Sequence, residues 1–180
     1  PARILMREKS LSVIDAAMRS SDEIRIKYAA KQARIANGYK KWIGQIGGLI
    51  ELNAIGKKKS FEQEYNKRAN SKPEWKSEYA SIISEMNALA NEKSANDFAY
   101  IMAVEYLYVG SEFFDLATSL SSLERSYIKL KEEGKLDEKI TQMLKGAEGF
   151  FKNYDVNVDK EIFRLQTELY FSEIPGYEKI

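Results

Sequence analysis

The sequence predicts an all-α protein, a bundle of five to seven helices, several of them long and mainly antiparallel, forming one domain over residues 1–180. Three observations carry this. Apolar residues recur at steps of three and four along almost the whole chain, the period of one face of a helix. The 180 residues include only three Pro and ten Gly, few for a loop-rich or β-rich fold. No alternating apolar/polar run of useful length marks a strand.

The elements follow in order. Ile4, Leu11, Ile14 and Met18 share a face of the first helix, and Ser20 with Glu23 reads as a capping box that restarts a helix after Arg19. The second stripe, from Ile24 and Tyr28 through Ile35, Tyr39 and Trp42 to Ile46 and Leu49, predicts a helix running to about Leu52, roughly 45 Å long at 1.5 Å per residue. Gly38, Gly44, Gly47 and Gly48 interrupt it, which predicts close helix packing or a bend near Gly47-Gly48. Asn53 to Gly56 reads as a break, and Ser60 with Gln63 as the cap of a short helix bearing Phe61 and Tyr65. Asn70-Ser71-Lys72-Pro73 reads as a turn, with Pro73 in the first turn of a helix that aligns Trp75, Tyr79, Ile82, Met86 and Leu89. The stretch from Asn91 to Asp97 is polar, and the pattern leaves open whether it breaks the helix. The longest stripe runs from Phe98 to Leu130 and predicts a single helix over 97–133, about 50 Å long, with Gly134 as its C-terminal cap. Leu136 to Tyr154 marks another helix. Asn157 starts the last, with Ile162, Leu165 and Leu169 inward and Pro175-Gly176 ending it.

Composition narrows the chemistry. Twenty-eight Lys and Arg stand against 27 Asp and Glu, a formal charge of +1, which provides no long-range attraction for nucleic acid or anionic lipid. The longest basic run, Lys57-Lys58-Lys59, is too short to argue for either, and neither nucleic acid nor membrane is expected as a partner. No apolar run approaches the 18 residues of a membrane span, and no secretory apolar segment opens the chain. The chain begins at Pro1, which suggests a trimmed or processed product. There is no His and no Cys. A Ser-His-Asp triad, a thiolate nucleophile, a zinc-thiolate site and a Glu-x-x-His di-iron bundle therefore cannot be built from this chain. No Gly-x-Ser-x-Gly elbow or phosphate-binding Gly-rich loop is present, and no metal or cofactor is expected. Acidic pairs such as Glu62/Glu64 and Glu132/Glu133 read as solvated faces, and a hydrolase built on carboxylates alone has no pocket arranged for it.

One stretch is unusual. From Asn37 to Gln45, two aromatics, an amide and lysines fall on about two helical turns. Tyr39 and Trp42 at helical spacing fit a packed core. The functional reading makes Asn37, Tyr39, Lys40 and Trp42 the candidate residues of a cleft, with the aromatics supplying contact area and Asn37, Lys40 or Gln45 polar contacts.

The same stretch carries a resemblance. Ser21-Asp22-Glu23-Ile24-Arg25-Ile26-Lys27-Tyr28-Ala29-Ala30-Lys31, then Asn37-Gly38-Tyr39-Lys40 and Ile43-Gly44, with Leu52-Asn53 downstream, resembles the bacterial dipeptidyl peptidase family that includes dipeptidyl peptidases seven and eleven. Asp159-Lys160-Glu161-Ile162-Phe163 and Leu169-Tyr170 extend the resemblance towards the other end. It implies a serine exopeptidase with a chymotrypsin-like double β-barrel, into which a helical domain is inserted over the active-site cleft. Such enzymes remove dipeptides from free N-termini in the periplasm or at the cell surface. This chain looks like the helical domain alone. The resemblance puts the catalytic His, Asp and Ser, and the groups that clamp the substrate's amine, on the barrels, so no catalytic residue is assigned here. It also implies a larger residue where Gly38 stands.

Two readings follow. The first is a non-catalytic cap or regulatory domain of a serine dipeptidyl aminopeptidase, inactive as a fragment, whose partners are the β-barrel catalytic domains of the same polypeptide and a peptide substrate. The second is a free-standing helical interaction or coiled-coil dimerisation module, supported by the long stripe from Phe98 to Leu130.

Overall fold

The computed structural model describes residues 1–174, which form eight helices: α1 (Ala2–Ser20), α2 (Asp22–Glu51), α3 (Ala54–Ala69), α4 (Pro73–Tyr79), α5 (Ile82–Val109), α6 (Phe113–Glu132), α7 (Leu136–Asn153) and α8 (Val156–Glu173). Seven have 16 or more residues, and α4 is a piece of seven. No strand occurs among the described residues. The chain is all-α, as the periodicity requires. Pro175-Gly176, expected to end the last helix, lies outside the described residues, and α8 ends at Glu173.

The helices group into two compact units, one of Pro1–Tyr39 with the residues from Ile101 onward, the other of Lys40–Tyr100. In the first unit, α1, the first half of α2, the end of α5 and α8 surround a core of Val13, Ile14, Tyr28, Ile35, Val109, Val158 and Ile162. Neighbours run mostly antiparallel. Asp15 of α1 meets Gln32 of α2, whereas Arg7 lies at Gly38. Tyr106 of α5 meets Thr167 of α8, whereas Ser111 just beyond α5 meets Asp159. The buried face of α1 is Ala2, Met6, Ser10, Val13 and Ile14, so the expected stripe shares only Ile14 with it; Leu11 and Met18 pack at its margin. A polar relay crosses this core: the Gln166 amide donates to the Met6 carbonyl (3.1 Å) and to Ser10 Oγ (2.6 Å), and Ser10 donates to the Val109 carbonyl (3.0 Å). These bonds satisfy groups that would otherwise be buried at a cost of about 1–3 kcal/mol each.

The second unit holds the far half of α2, α3, α4 and most of α5. Its one buried residue is Ala69, and the Tyr65 hydroxyl ties α3 to the Tyr79 carbonyl at the end of α4 (3.2 Å). Pro73 opens α4, its missing N–H falling where no helical bond is made.

Several boundaries differ from the periodic reading. The cap between α1 and α2 is Ser21, extended at φ −149° and ψ 126°, whose Oγ accepts from the Ile24 N–H (3.3 Å); Ser20 instead donates to the Ala17 carbonyl. Helix α2 runs unbroken through Gly47-Gly48, and a Cβ on Gly44, Gly47 or Gly48 would meet nothing within 4 Å, so close packing does not account for them. Of the α2 glycines, only Gly38 is closely approached, by the Arg7 guanidinium. Asn53, at φ 48°, makes the α2–α3 break on its own, and Ser60 lies inside α3, donating to the Gly56 carbonyl rather than capping. The helix expected from Trp75 to Leu89 is split between α4 and α5. The polar stretch at 91–97 stays helical within α5.

The single helix expected over 97–133 is also divided, at Gly110-Ser111-Glu112. Asp159 captures both the Ser111 hydroxyl and the Glu112 N–H there (2.6 Å each), so that the backbone N–H bonds to a side chain rather than to the preceding turn. The coiled-coil argument drawn from that stripe loses its continuous helix. Gly134 behaves as expected. At φ 68° it closes a Schellman motif, with Lys135 N–H on the Leu130 carbonyl (2.9 Å) and Gly134 N–H on the Lys131 carbonyl (3.2 Å). The cap of α8 is Asp155, two residues before the expected Asn157, its carboxylate accepting from Asn157 and Val158 N–H at 3.0 Å each.

Candidate functional site

All four candidate residues lie on α2, whose stretch from Lys27 to Ala36 is rich in the helix formers Ala, Lys, Gln and Arg. Asn37 and Tyr39 belong to the first unit, and Lys40 and Trp42 to the second. In the first unit, Asn37 is exposed and its side chain forms no hydrogen bond among the described residues, while Tyr39 is half-buried. In the second unit, Lys40 is exposed, and Trp42 is half-buried with Lys41 Nζ 5.3 Å from its ring centroid, a cation–π contact. Asn37 offers a free amide in the first unit and Lys40 an exposed ammonium in the second, groups suited to hydrogen bonding and charge pairing.

Upstream on α2, within the first unit, a buried polar seam fixes the helix. Tyr28, 1% exposed, donates to Glu112 Oε2 (3.1 Å) and accepts from the Asp155 N–H (3.3 Å). One turn on, Lys31 Nζ stands 3.2 Å from Glu112 Oε1. Asp159, 2% exposed, accepts from Ser111 and Glu112 as described and from the Tyr154 hydroxyl (3.1 Å). Burial lifts the Tyr28 phenol far above its ordinary value, aided by the Glu112 charge. Burial, then the Asp159 charge, pushes Tyr154 up to about 12. Desolvation lowers Lys31, against the pull of Glu112. Shifts of this kind suit active sites, but here each acidic or basic group is engaged by a partner, and the seam joins the start of α2 to the α5–α6 corner and the foot of α8.

A second buried charge sits beside the candidate segment. Glu105, 5% exposed, receives Arg7 (Nε–Oε2 3.0 Å, Nη2–Oε1 3.3 Å) and Arg3 (Nε–Oε1 3.5 Å). Periodicity reasoning passed over Glu105, Asp159, Ser10 and Gln166. The available signal was a polar residue in register with an apolar stripe, such as Glu105 between Met102 and Val109.

Elsewhere in the first unit, α6 and α7 form a hairpin with an open groove of about 560 Å³ between them, lined by Leu116, Leu120, Leu123, Ile140, Met143 and Phe150 among others. Neither helix has a fully buried residue. Among the described residues, no group of three or more Asp, Glu, His or Cys is placed to hold a metal, and no helix is long and apolar enough to cross a membrane.

The family model for Peptidase S46 matches residues 1–179. The chain belongs to the Peptidase S46 family. It is 31% identical, over 97% of its length, to an Asp/Glu-specific dipeptidyl-peptidase of Flavobacterium psychrophilum, and equally to one of Capnocytophaga gingivalis. It is 28% identical over the same share to dipeptidyl-peptidase 7 of Phocaeicola vulgatus. In each case the matched region is 24% of the relative, so the chain spans about a quarter of the length of these relatives.

Proposed function

We propose that this chain is the non-catalytic helical lid of a serine-type dipeptidyl aminopeptidase, lying over the cleft of β-barrel catalytic domains in the same polypeptide and acting in the periplasm or at the cell surface. The observation that carries the reading is the match of the whole chain to one quarter of dipeptidyl peptidases, joined to a sequence without His or Cys. A lid of this kind excludes extended or folded chains from a cleft and favours cleavage near a free N-terminus. Asn37, Tyr39, Lys40 and Trp42 are the residues proposed to face the peptide. The exposed amide of Asn37 and the ammonium of Lys40 are free to engage carbonyls or carboxylates, and the rings of Tyr39 and Trp42 offer apolar contact.

The test is steady-state dipeptide release by the full-length polypeptide with Ala at each of the four positions. KM should rise several-fold for at least Asn37→Ala and Lys40→Ala, and unchanged turnover at all four removes the assignment. A second reading, a helical interaction module, keeps one observation in its favour, the apolar α6–α7 groove with Leu120 and Leu144 more than half exposed. Light scattering separates the two, since the module reading requires a defined oligomer of the chain.

A further inference from the structure

Gly38 stands between two of the candidate residues, and it is the one glycine of α2 whose missing side chain is occupied by something else. A Cβ built there would overlap Arg7 Nη1 and lie 3.0 Å from its Cζ and 3.5 Å from its Nε. Arg7 comes from α1, and its guanidinium is not free to swing aside. Its side chain is 17% exposed, and Glu105 of α5 holds it through Nε at 3.0 Å and Nη2 at 3.3 Å. Glu105 is itself 5% exposed and also engaged by Arg3, so its carboxylate has little water to fall back on. Three helices of the first unit therefore meet at one guanidinium: α1 supplies it, α5 anchors it, and α2 is laid against it where a side chain is missing.

We infer that Arg7, anchored by Glu105 and seated against Gly38, is a positioning residue that fixes the height and rotation of α2 at Asn37 and Tyr39. The planar fork of Arg sets this geometry better than a point charge, because Nη2 donates to Glu105 Oε1 and Nε is ion-paired with Oε2, while Nη1 is the atom nearest Gly38. Gly38 has a use here that the other α2 glycines lack, since an Ala at this position would improve helix propensity and yet lose the seat. The part of the inference that concerns substrate rests on the proposal that Asn37 and Tyr39 face the cleft. The clamp itself does not.

The experiment uses the full-length polypeptide with Gly38→Ala, Arg7→Lys and the two combined. Two quantities are read: amide hydrogen exchange of the α2 peptide covering residues 35–39, and kcat and KM for dipeptide release. Gly38→Ala should speed exchange of that peptide at least tenfold and raise KM several-fold with kcat within twofold. Arg7→Lys in the Gly38→Ala background should recover much of both, because an ammonium ends one atom short of Nη1 and leaves room for the Cβ while keeping a cation on Glu105. If Gly38→Ala leaves exchange unchanged or slows it, as helix propensity alone would have it, the clamp is overturned. If exchange rises and Arg7→Lys restores it while the kinetics do not move, the clamp stands and the cleft assignment of Asn37 and Tyr39 fails. If exchange rises without rescue, the effect is not carried by Arg7 and the inference is overturned.

Discussion

Tyr28 shows how far a single residue reaches in this fold. Its ring fills the core beside Ile35 and Val158, and its hydroxyl joins Glu112 to the backbone at Asp155. Because burial raises its phenol, the folded state keeps the proton above pH 10 while the unfolded chain releases it. Stability must then fall as pH rises above 10, at about 1.4 kcal/mol per pH unit for one such group. Tyr154 adds a loss of the same sign between pH 10 and about 12. Lys31 acts in the opposite sense, its lowered value making stability rise with pH up to its ordinary 10.5. Thermal melts from pH 9 to 12 should show the alkaline decline, and Tyr28→Phe should flatten it; an equally steep decline in the variant would rule out Tyr28 as its source. Gly134 carries a second residue-scale prediction. At φ 68° an Ala is strained, so Gly134→Ala should lower stability by about 1 kcal/mol in denaturant titration. That cap was legible in the sequence, because Gly134 stands one turn past Leu130, the last residue of the apolar stripe. Asp159 was not, because nothing local shows that the Ser111 and Tyr154 hydroxyls and the Glu112 N–H await its carboxylate in space.

At the scale of elements, periodicity identified the helices and misplaced several of their ends. The α5–α6 division is the clearest case. Phe98, Met102, Tyr106, Val109 and Phe113 keep perfect helical spacing across it, yet the chain turns at Gly110-Ser111-Glu112. What breaks the helix is Asp159, 48 residues away from Ser111, which no local pattern reveals. Gly110 is required at the corner, since a Cβ would overlap the Tyr106 carbonyl and lie 2.6 Å from Gln166 Oε1. Gly110→Ala should therefore destabilise by about 1–3 kcal/mol, the usual cost of forcing atoms into a filled site. An unchanged midpoint would show that the corner can relax. The α8 cap was misplaced by two residues for a related reason: Asp155 and Asn157 are both competent caps, and the choice falls to Asp155, whose backbone also meets Tyr28. Asp155→Ala should cost about 1 kcal/mol through the two N–H groups it leaves open.

For the molecule as a whole, the two compact units differ in what holds them. Residues 1–39 and those from Ile101 onward contain nearly all the buried side chains, whereas Lys40–Tyr100 contains only Ala69 among the described residues. Native-state hydrogen exchange on the chain should find the amides of α3 and α4 opening at lower free energy than those of α1 and α8. Equal protection in both would mean that the second unit draws stability from something other than its own core. The family was legible from the α2 segment, and the match over residues 1–179 bears it out; the missing His and Cys exclude a His- or Cys-based catalytic set from this chain and no more. The division of Asn37 and Tyr39 from Lys40 and Trp42 between two units was not legible, because local periodicity holds no record of which distant helices pack together. The central claim, that this chain covers a peptidase cleft but performs no cleavage, is tested most directly by comparing the isolated 180 residues with the full-length polypeptide on peptides with free and acetylated N-termini. The account predicts no turnover by the isolated chain, and dipeptide release by the full-length protein from the free peptides only. Turnover by the isolated chain, or equal cleavage of acetylated peptides by the full-length protein, would contradict it.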